Sequence, residues 1–152
     1  NLMALGPYEK PKVRLPGGAG SAILAYVVER VVLFKTDHAA RGLVAAVDVV
    51  TAPGYTPELS PWQRPGRITA LLTPKCVFTL SPPARPQLAS LHPGVSLEEV
   101  RAATGFTFEA AAGLPETPAL DAPARRLLYG SVKEKLAQAY PRFAARLQKP
   151  PC

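Results

Sequence analysis

Pro16-Gly17-Gly18-Ala19-Gly20-Ser21-Ala22-Ile23-Leu24-Ala25-Tyr26-Val27-Val28-Glu29-Arg30-Val31-Val32-Leu33-Phe34 is the stretch that decides the fold class. A glycine-rich loop opens it. Ser21 is placed to cap a helix, and residues 22–28 suit a short buried one. Residues 30–34 are β-branched and apolar, which reads as a strand. Upstream, residues 2–5 form another apolar run, stopped by Gly6-Pro7. Strand, glycine loop, helix and strand in succession make one α/β unit.

Beyond that unit, residues 43–51 read as extended and apolar, with Asp48 the only charge. Residues 53–66 carry Pro53, Pro57, Pro61 and Pro65 and read as an ordered surface loop. Residues 67–72, 76–80 and 87–91 are strand-like. Ser96-Leu97-Glu98-Glu99 is a capping box, with Val95 and Val100 at the staple positions and Gly105 closing the helix. In the tail, Leu128, Val132, Leu136, Tyr140, Phe143 and Leu147 recur at helical spacing. Ser131 and Glu134 beside Gly130 form a second capping box there. The expected architecture is α/β: an open, mostly parallel sheet with flanking helices and a helical C-terminal tail. Residues 1–118 form the sheet-bearing part and residues 119–152 the tail.

The totals narrow the function. The 152 residues carry a net charge of +7 and include 18 prolines, more than twice a usual share. Asn1 is the only asparagine, which together with the Ala, Pro, Leu and Arg content points to a GC-rich or thermophilic source. The basic residues form no cluster interleaved with aromatics, which argues against nucleic acid. A phosphate-bearing small molecule or an acidic partner chain fits the charge better. No apolar stretch approaches the roughly 18 residues of a membrane span. Cys76 and Cys152 read as free thiols in a cytoplasmic protein. The chain opens on Asn1 in what reads as a strand already under way, so upstream residues are expected in the same protein.

Chemistry-bearing motifs are few. Gly17, Gly18, Ala19, Gly20 and Ser21 permit close backbone approach, and the helix that follows favours an anion or a polarised carbonyl oxygen. The loop matches neither the Walker nor the dinucleotide glycine pattern, and on local grounds it reads first as a tight structural turn. His38 and His92 each sit near a turn, far apart in sequence. They have no clustered Cys or Asp to complete a metal site, and both read as structural. No serine stands in a nucleophile elbow, and Glu9, Glu29 and Glu58 have unremarkable surroundings.

Three stretches together resemble the β subunits of class I coenzyme A transferases, the group that includes glutaconate CoA-transferase. They are Pro11-Lys12-Val13-Arg14-Leu15-Pro16-Gly17-Gly18, then Val47-Asp48-Val49-Val50-Thr51-Ala52-Pro53-Gly54, then residues 90–100 closed by Thr104-Gly105-Phe106. The resemblance covers residues 1 to 118 and implies an α/β fold paired with an α subunit. It implies CoA transfer from an acyl-CoA thioester to a carboxylic acid through a glutamyl-CoA intermediate, with no cofactor beyond the CoA ester itself. The glutamate nucleophile falls in the amino-terminal half of such subunits, so no catalytic residue is expected in this chain, and the chain alone is expected to be inactive. The glycine loop corresponds to one near the bound thioester, where amides can stabilise an oxyanion. The implied partners are the α subunit, the amino-terminal half of the β subunit and acyl-CoA. Departures are apolar residues at Ala19, Ala22 and Ile23, and Thr73-Pro74-Lys75 where many members have Thr-Asp-Leu. A ring-opening CoA-thioester hydrolase lacking the glutamate and a non-catalytic partner subunit remain alternative readings.

Overall fold

The computed structural model of the chain describes residues 4–5, 9–10, 13–14, 19–47, 50, 52, 67–81 and 85–147. These divide into two units, residues 1–117 and 118–152.

In the first unit, β1 (Ala4–Leu5) pairs antiparallel with β2 (Val13–Arg14). Then follow α1 (Ala19–Val27), β3 (Arg30–Phe34), β4 (Arg67–Leu72), β5 (Cys76–Thr79), β6 (Gln87–Leu91), α2 (Leu97–Ala103) and β7 (Glu109–Ala110). The last five strands form one sheet in the order β3-β4-β5-β6-β7. Its outer pairs, β3/β4 and β6/β7, are parallel, and its inner pairs are antiparallel. The α/β class therefore holds, with an even balance of pairings where a mostly parallel sheet was expected. The connections explain the balance: the links from β4 to β5 and from β5 to β6 are too short for a crossover, so each strand must fold straight back.

The expected strand over residues 43–51 does not form among the described residues. Val44 makes one isolated parallel bridge to Gly105, and Leu43 alone turns into the core at 4% exposure. Val44, Val47 and Val50 stay exposed. Apolar β-branched composition needs a neighbouring edge to become a strand, and this segment finds only a single-residue contact. The helix after the glycine loop starts at Ala19, earlier than expected, so Ser21 lies inside it and is no N-cap.

The core is one cluster of Leu43, Leu71, Cys76, Phe78, Leu88 and Val100. β5 supplies its centre by alternation: Cys76 and Phe78 are fully buried, while Thr79 is exposed. Phe78 meets Phe106 and Phe108 edge to face, with ring centroids 5.5 and 5.1 Å apart. Such pairs add about 0.5–1.5 kcal/mol each to the burial itself. The α2 capping box forms as expected: Glu99 N–H donates to Ser96 Oγ at 3.1 Å, and Ser96 N–H to Glu99 Oε2 at 3.0 Å. Both staple residues pack on the core, Val100 with no exposed surface and Val95 partly buried.

Gly105 does not close α2 in the left-handed conformation expected of a helix-ending glycine; among the described glycines only Gly94 and Gly113 have positive φ. It is needed for space. Its N–H donates to the Leu43 carbonyl at 2.6 Å, and a Cβ there would stand 2.7 Å from that same oxygen.

The second unit is helical: α3 (Ala122–Leu127), a π-helical turn over Leu128–Val132, α4 (Lys133–Ala139) and α5 (Pro141–Arg146). Asp121 caps α3 through Oδ1, which accepts from Ala124 N–H at 2.7 Å. The capping box expected at Ser131 and Glu134 is not made. Gly130 leaves helical conformation (φ −102°, ψ −113°) and kinks the chain between two helical stretches, and the N-cap of α4 is Val132 in helical conformation, without a side-chain cap. Pro141 begins α5 after a break at Tyr140.

Candidate functional site

The glycine loop is only partly within view. Gly17 and Gly18 lie outside the described residues, and Ala19, Gly20 and Ser21 form the first turn of α1. Gly20 has ordinary negative φ, and a Cβ added to it would meet nothing within 4 Å. Nothing among the described residues therefore requires glycine at this position, although glycine costs a helix about 1 kcal/mol relative to alanine. Gly20, Ile23, Leu24 and Val27 share one helical face, and Ile23, Leu24 and Val27 are 61%, 54% and 59% exposed. An apolar stripe thus continues from the glycine without a covering partner among the described residues. The neighbouring strand behaves alike: β3 is an edge of the sheet, and Val32, Leu33 and Phe34 are exposed.

The two histidines, distant in sequence, meet at one residue. β3, β4 and β6 run in the same direction, and their carboxyl ends deliver residues 35–38, Thr73 and His92 to one side of the sheet. Thr73 is 5% exposed and serves both rings. His92 Nε2 donates to the Thr73 carbonyl oxygen at 2.9 Å. His92 Nδ1 lies 2.9 Å from Thr117 Oγ1, which in turn lies 2.7 Å from Ser90 Oγ. His38 Nδ1 lies 2.8 Å from Thr73 Oγ1, and His38 Nε2 lies 3.0 Å from Thr104 Oγ1.

The hydroxyl partners orient the His38 ring. Thr104 Oγ1 donates its proton to the Val100 carbonyl at 2.7 Å, so it accepts from His38 Nε2–H. Thr73 Oγ1 accepts from the amides of Cys76 (3.1 Å) and Lys75 (3.3 Å) and donates to the Cys76 carbonyl at 3.1 Å, beside its contact with Nδ1. The His38 ring is half-buried. Burial pushes its pKa below the ordinary histidine value, and the Lys75 ammonium adds to the effect. The Cys76 thiol, 3.9 Å from His38 Nδ1, is fully buried, and burial pushes its pKa up. It is a poor nucleophile.

This constellation joins elements and leaves little free to react. Every ring nitrogen and threonine hydroxyl in it is engaged by a protein partner. No group of three His, Cys, Asp or Glu among the described residues could hold a metal ion. The sequence placed both histidines in structural roles, and their bonding fits that reading. It did not anticipate Thr73 as their common partner; the weak signal was Thr73-Pro74-Lys75, a turn between two apolar strands with a hydroxyl ahead of the proline.

No family model matches the chain. It is 32% identical over 127 residues to one of the subunits of 3-oxoadipate CoA-transferase from Pseudomonas knackmussii, a match that covers 78% of this chain and 47% of that protein. Among solved structures, the decarboxylase AibA/AibB is 30% identical with a TM-score of 0.63, over 82% of this chain and 47% of that one. Rhodococcus jostii IpdAB is 25% identical with a TM-score of 0.74, over 86% and 53%. Glutaconate coenzyme A-transferase from Acidaminococcus fermentans shares the fold at 23% identity and a TM-score of 0.70, over 89% and 53%. The chain spans about half the length of these relatives. On the sequence match to a transferase subunit and the shared sheet and helices, the chain belongs to the CoA-transferase β-subunit-like family.

Proposed function

We propose that the chain is the carboxy-terminal part of a CoA-transferase β subunit, working with an α subunit and the rest of the β subunit in the cytoplasm. The observation that carries this reading is the 32% identity over 127 residues to a protein named as a transferase subunit. In the proposed reaction a glutamate outside this chain attacks the donor thioester carbonyl, giving a mixed anhydride and CoA thiolate. The thiolate attacks the glutamyl carbonyl, releasing the donor acid and leaving a glutamyl-CoA thioester. The acceptor carboxylate repeats the two steps in reverse, taking CoA and restoring the glutamate.

Within this scheme the chain supplies one wall of the site. The amides of Gly17, Gly18, Ala19, Gly20 and Ser21 would face the thioester oxygen at the start of α1, where the helix dipole favours developing negative charge. Among the described residues nothing lies within 4 Å of a Cβ added at Gly20, which leaves that face of the turn open. The exposed stripe on α1 and the β3 edge would be covered by the partner segments, since unpaired edges and apolar patches invite association.

The test uses the complete complex and the 152-residue chain side by side, each given an acyl-CoA donor and a carboxylate acceptor and then trapped with borohydride. The complex should exchange CoA and trap a glutamate outside residues 1–152, while the chain alone does neither. A modified glutamate within this chain would overturn the placement. Release of free CoA without an acceptor would identify a hydrolase, and no turnover at all a non-catalytic subunit.

A further inference from the structure

The second unit concentrates the charge of the chain. Residues 118–152 hold seven Lys or Arg and two Asp or Glu, so they carry +5 of the chain's +7 in under a quarter of its length. Two of these cations are committed within the unit. Lys133 Nζ donates to the Leu147 carbonyl at 2.8 Å, tying the start of α4 to the end of α5, and Arg125 Nε donates to the Leu120 carbonyl at 2.8 Å. Arg126, Lys135, Arg142 and Arg146 are exposed. The ion pairs among the described residues, Lys35 with Asp37 and Lys75 with Glu99, both lie in the first unit.

The same unit buries almost nothing. Of its described residues only Ala144 is buried, while Leu120, Leu127, Tyr140 and Phe143 are exposed. Helices of six or seven residues do not hold themselves in water, and a unit of this size needs a core or an outside contact. On α5, Arg142, Phe143 and Arg146 fall within about a third of the helix circumference, roughly opposite Ala144. Apolar and cationic groups therefore share one outward face.

We propose that residues 118–147 form a docking arm for an acidic, partly apolar protein surface on the partner subunit. Tyr140 and Phe143 are its anchors, and Arg126, Lys135, Arg142 and Arg146 meet carboxylates around them. The identity of the partner rests on the transferase reading; its acidic character rests on the charge of the arm alone.

Charge complementarity selects this occupant. Five unbalanced positive charges repel one another and a second copy of the arm, and an acidic surface relieves that repulsion. Arginine and tyrosine are the side chains that dominate protein interfaces. A membrane surface suits a continuous amphipathic helix, whereas this winding is interrupted at Gly130 and at Tyr140. The exposed leucines add apolar area that a phosphate backbone does not use.

The experiment measures assembly of the full-length β subunit with its partner subunit, from about 0.05 to about 0.5 M salt. Wild-type affinity should fall steeply with salt. Arg142→Glu with Arg146→Glu should weaken assembly at least tenfold at low salt and flatten the salt dependence. Tyr140→Ala with Phe143→Ala should weaken it at least tenfold at every salt concentration. Arg142→Lys with Arg146→Lys should keep the wild-type salt slope. Unchanged assembly in the first two variants would overturn the arm. So would loss of the β subunit's own fold in both, which would mean that the face is covered from within that subunit; a salt-independent wild-type affinity would then decide against the arm without any variant. Binding of the β subunit to anionic vesicles or to an oligonucleotide, lost in the variants while assembly stays intact, would also overturn it. CoA exchange by the wild-type complex separates the two readings. Assembly through the arm without exchange counts against the transferase alone, and exchange with assembly indifferent to the arm counts against the arm alone.

Discussion

The carbonyl oxygen of Leu43 accepts from the amide of Gly105 at 2.6 Å, a contact that leaves no room for a side chain at position 105. The neighbour is backbone and cannot rotate away. Gly105→Ala should cost about 1–3 kcal/mol, the usual range for overpacking. Chemical denaturation of the chain checks this; an unchanged midpoint would mean that the loop yields freely.

Gly20 separates two roles for the glycine loop. In the chain alone, Gly20→Ala should be neutral or stabilising by about 0.5–1 kcal/mol, because its Cβ enters open space on a helix. In the complete complex the same change, and more strongly Gly18→Val, should reduce CoA-ester turnover. Turnover that survives both, with a clear loss of stability instead, would identify a purely structural turn.

His92 donates to the Thr73 carbonyl and meets Thr117, so it acts as a brace at the corner made by Pro93 and Gly94. His92→Gln, which keeps a donor, should leave turnover of the complete complex nearly intact. A loss of a thousandfold with folding preserved would show chemistry at this ring.

Ser96→Ala removes one half of the α2 capping box and should cost about 1 kcal/mol. The Ser96 amide bond, with Lys75 second, holds the Glu99 carboxyl below its ordinary 4.5. The contribution of that bond is present above 4.5 and is lost as pH falls through the folded value. Alanine at 96 keeps that amide, so thermal melts from pH 6 to 3 should show wild type and Ser96→Ala losing stability alike, and Glu99→Gln losing less.

Phe34 is 76% exposed on an edge strand. Phe34→Lys should leave the melting temperature of the chain alone within about 2 °C, since a surface change of about 0.5 kcal/mol moves it little. The same change should weaken capture of the amino-terminal half of the subunit at least tenfold. Unchanged capture would direct the search for the partner surface away from β3.

The strands β3, β4 and β6 were legible to the residue, because each is an apolar, β-branched or alternating run bounded by charge, glycine or proline. The α2 start was legible because Ser96 and Glu99 make their bonds locally, three residues apart. Residues 43–51 carried the same composition as β3 without a strand to pair with, a difference no local pattern contains. Asp121 followed by Pro123 carries a helix-start signal that the sequence reading did not use. The histidine network was not legible at all. Its bonds span 35 and 66 residues for His38 and 25 for His92, so only the folded sheet brings them to Thr73.

Cys76 is sealed at 0% exposure against Thr73, 3.5 Å from its hydroxyl. A thiol reagent can reach it only when that corner of the sheet opens. With the chain's other cysteine replaced, Cys152→Ser, the rate at which a chromogenic disulfide consumes Cys76 becomes a stopwatch for opening, readable in a cuvette. The chain thus carries its own buried gauge of breathing motions.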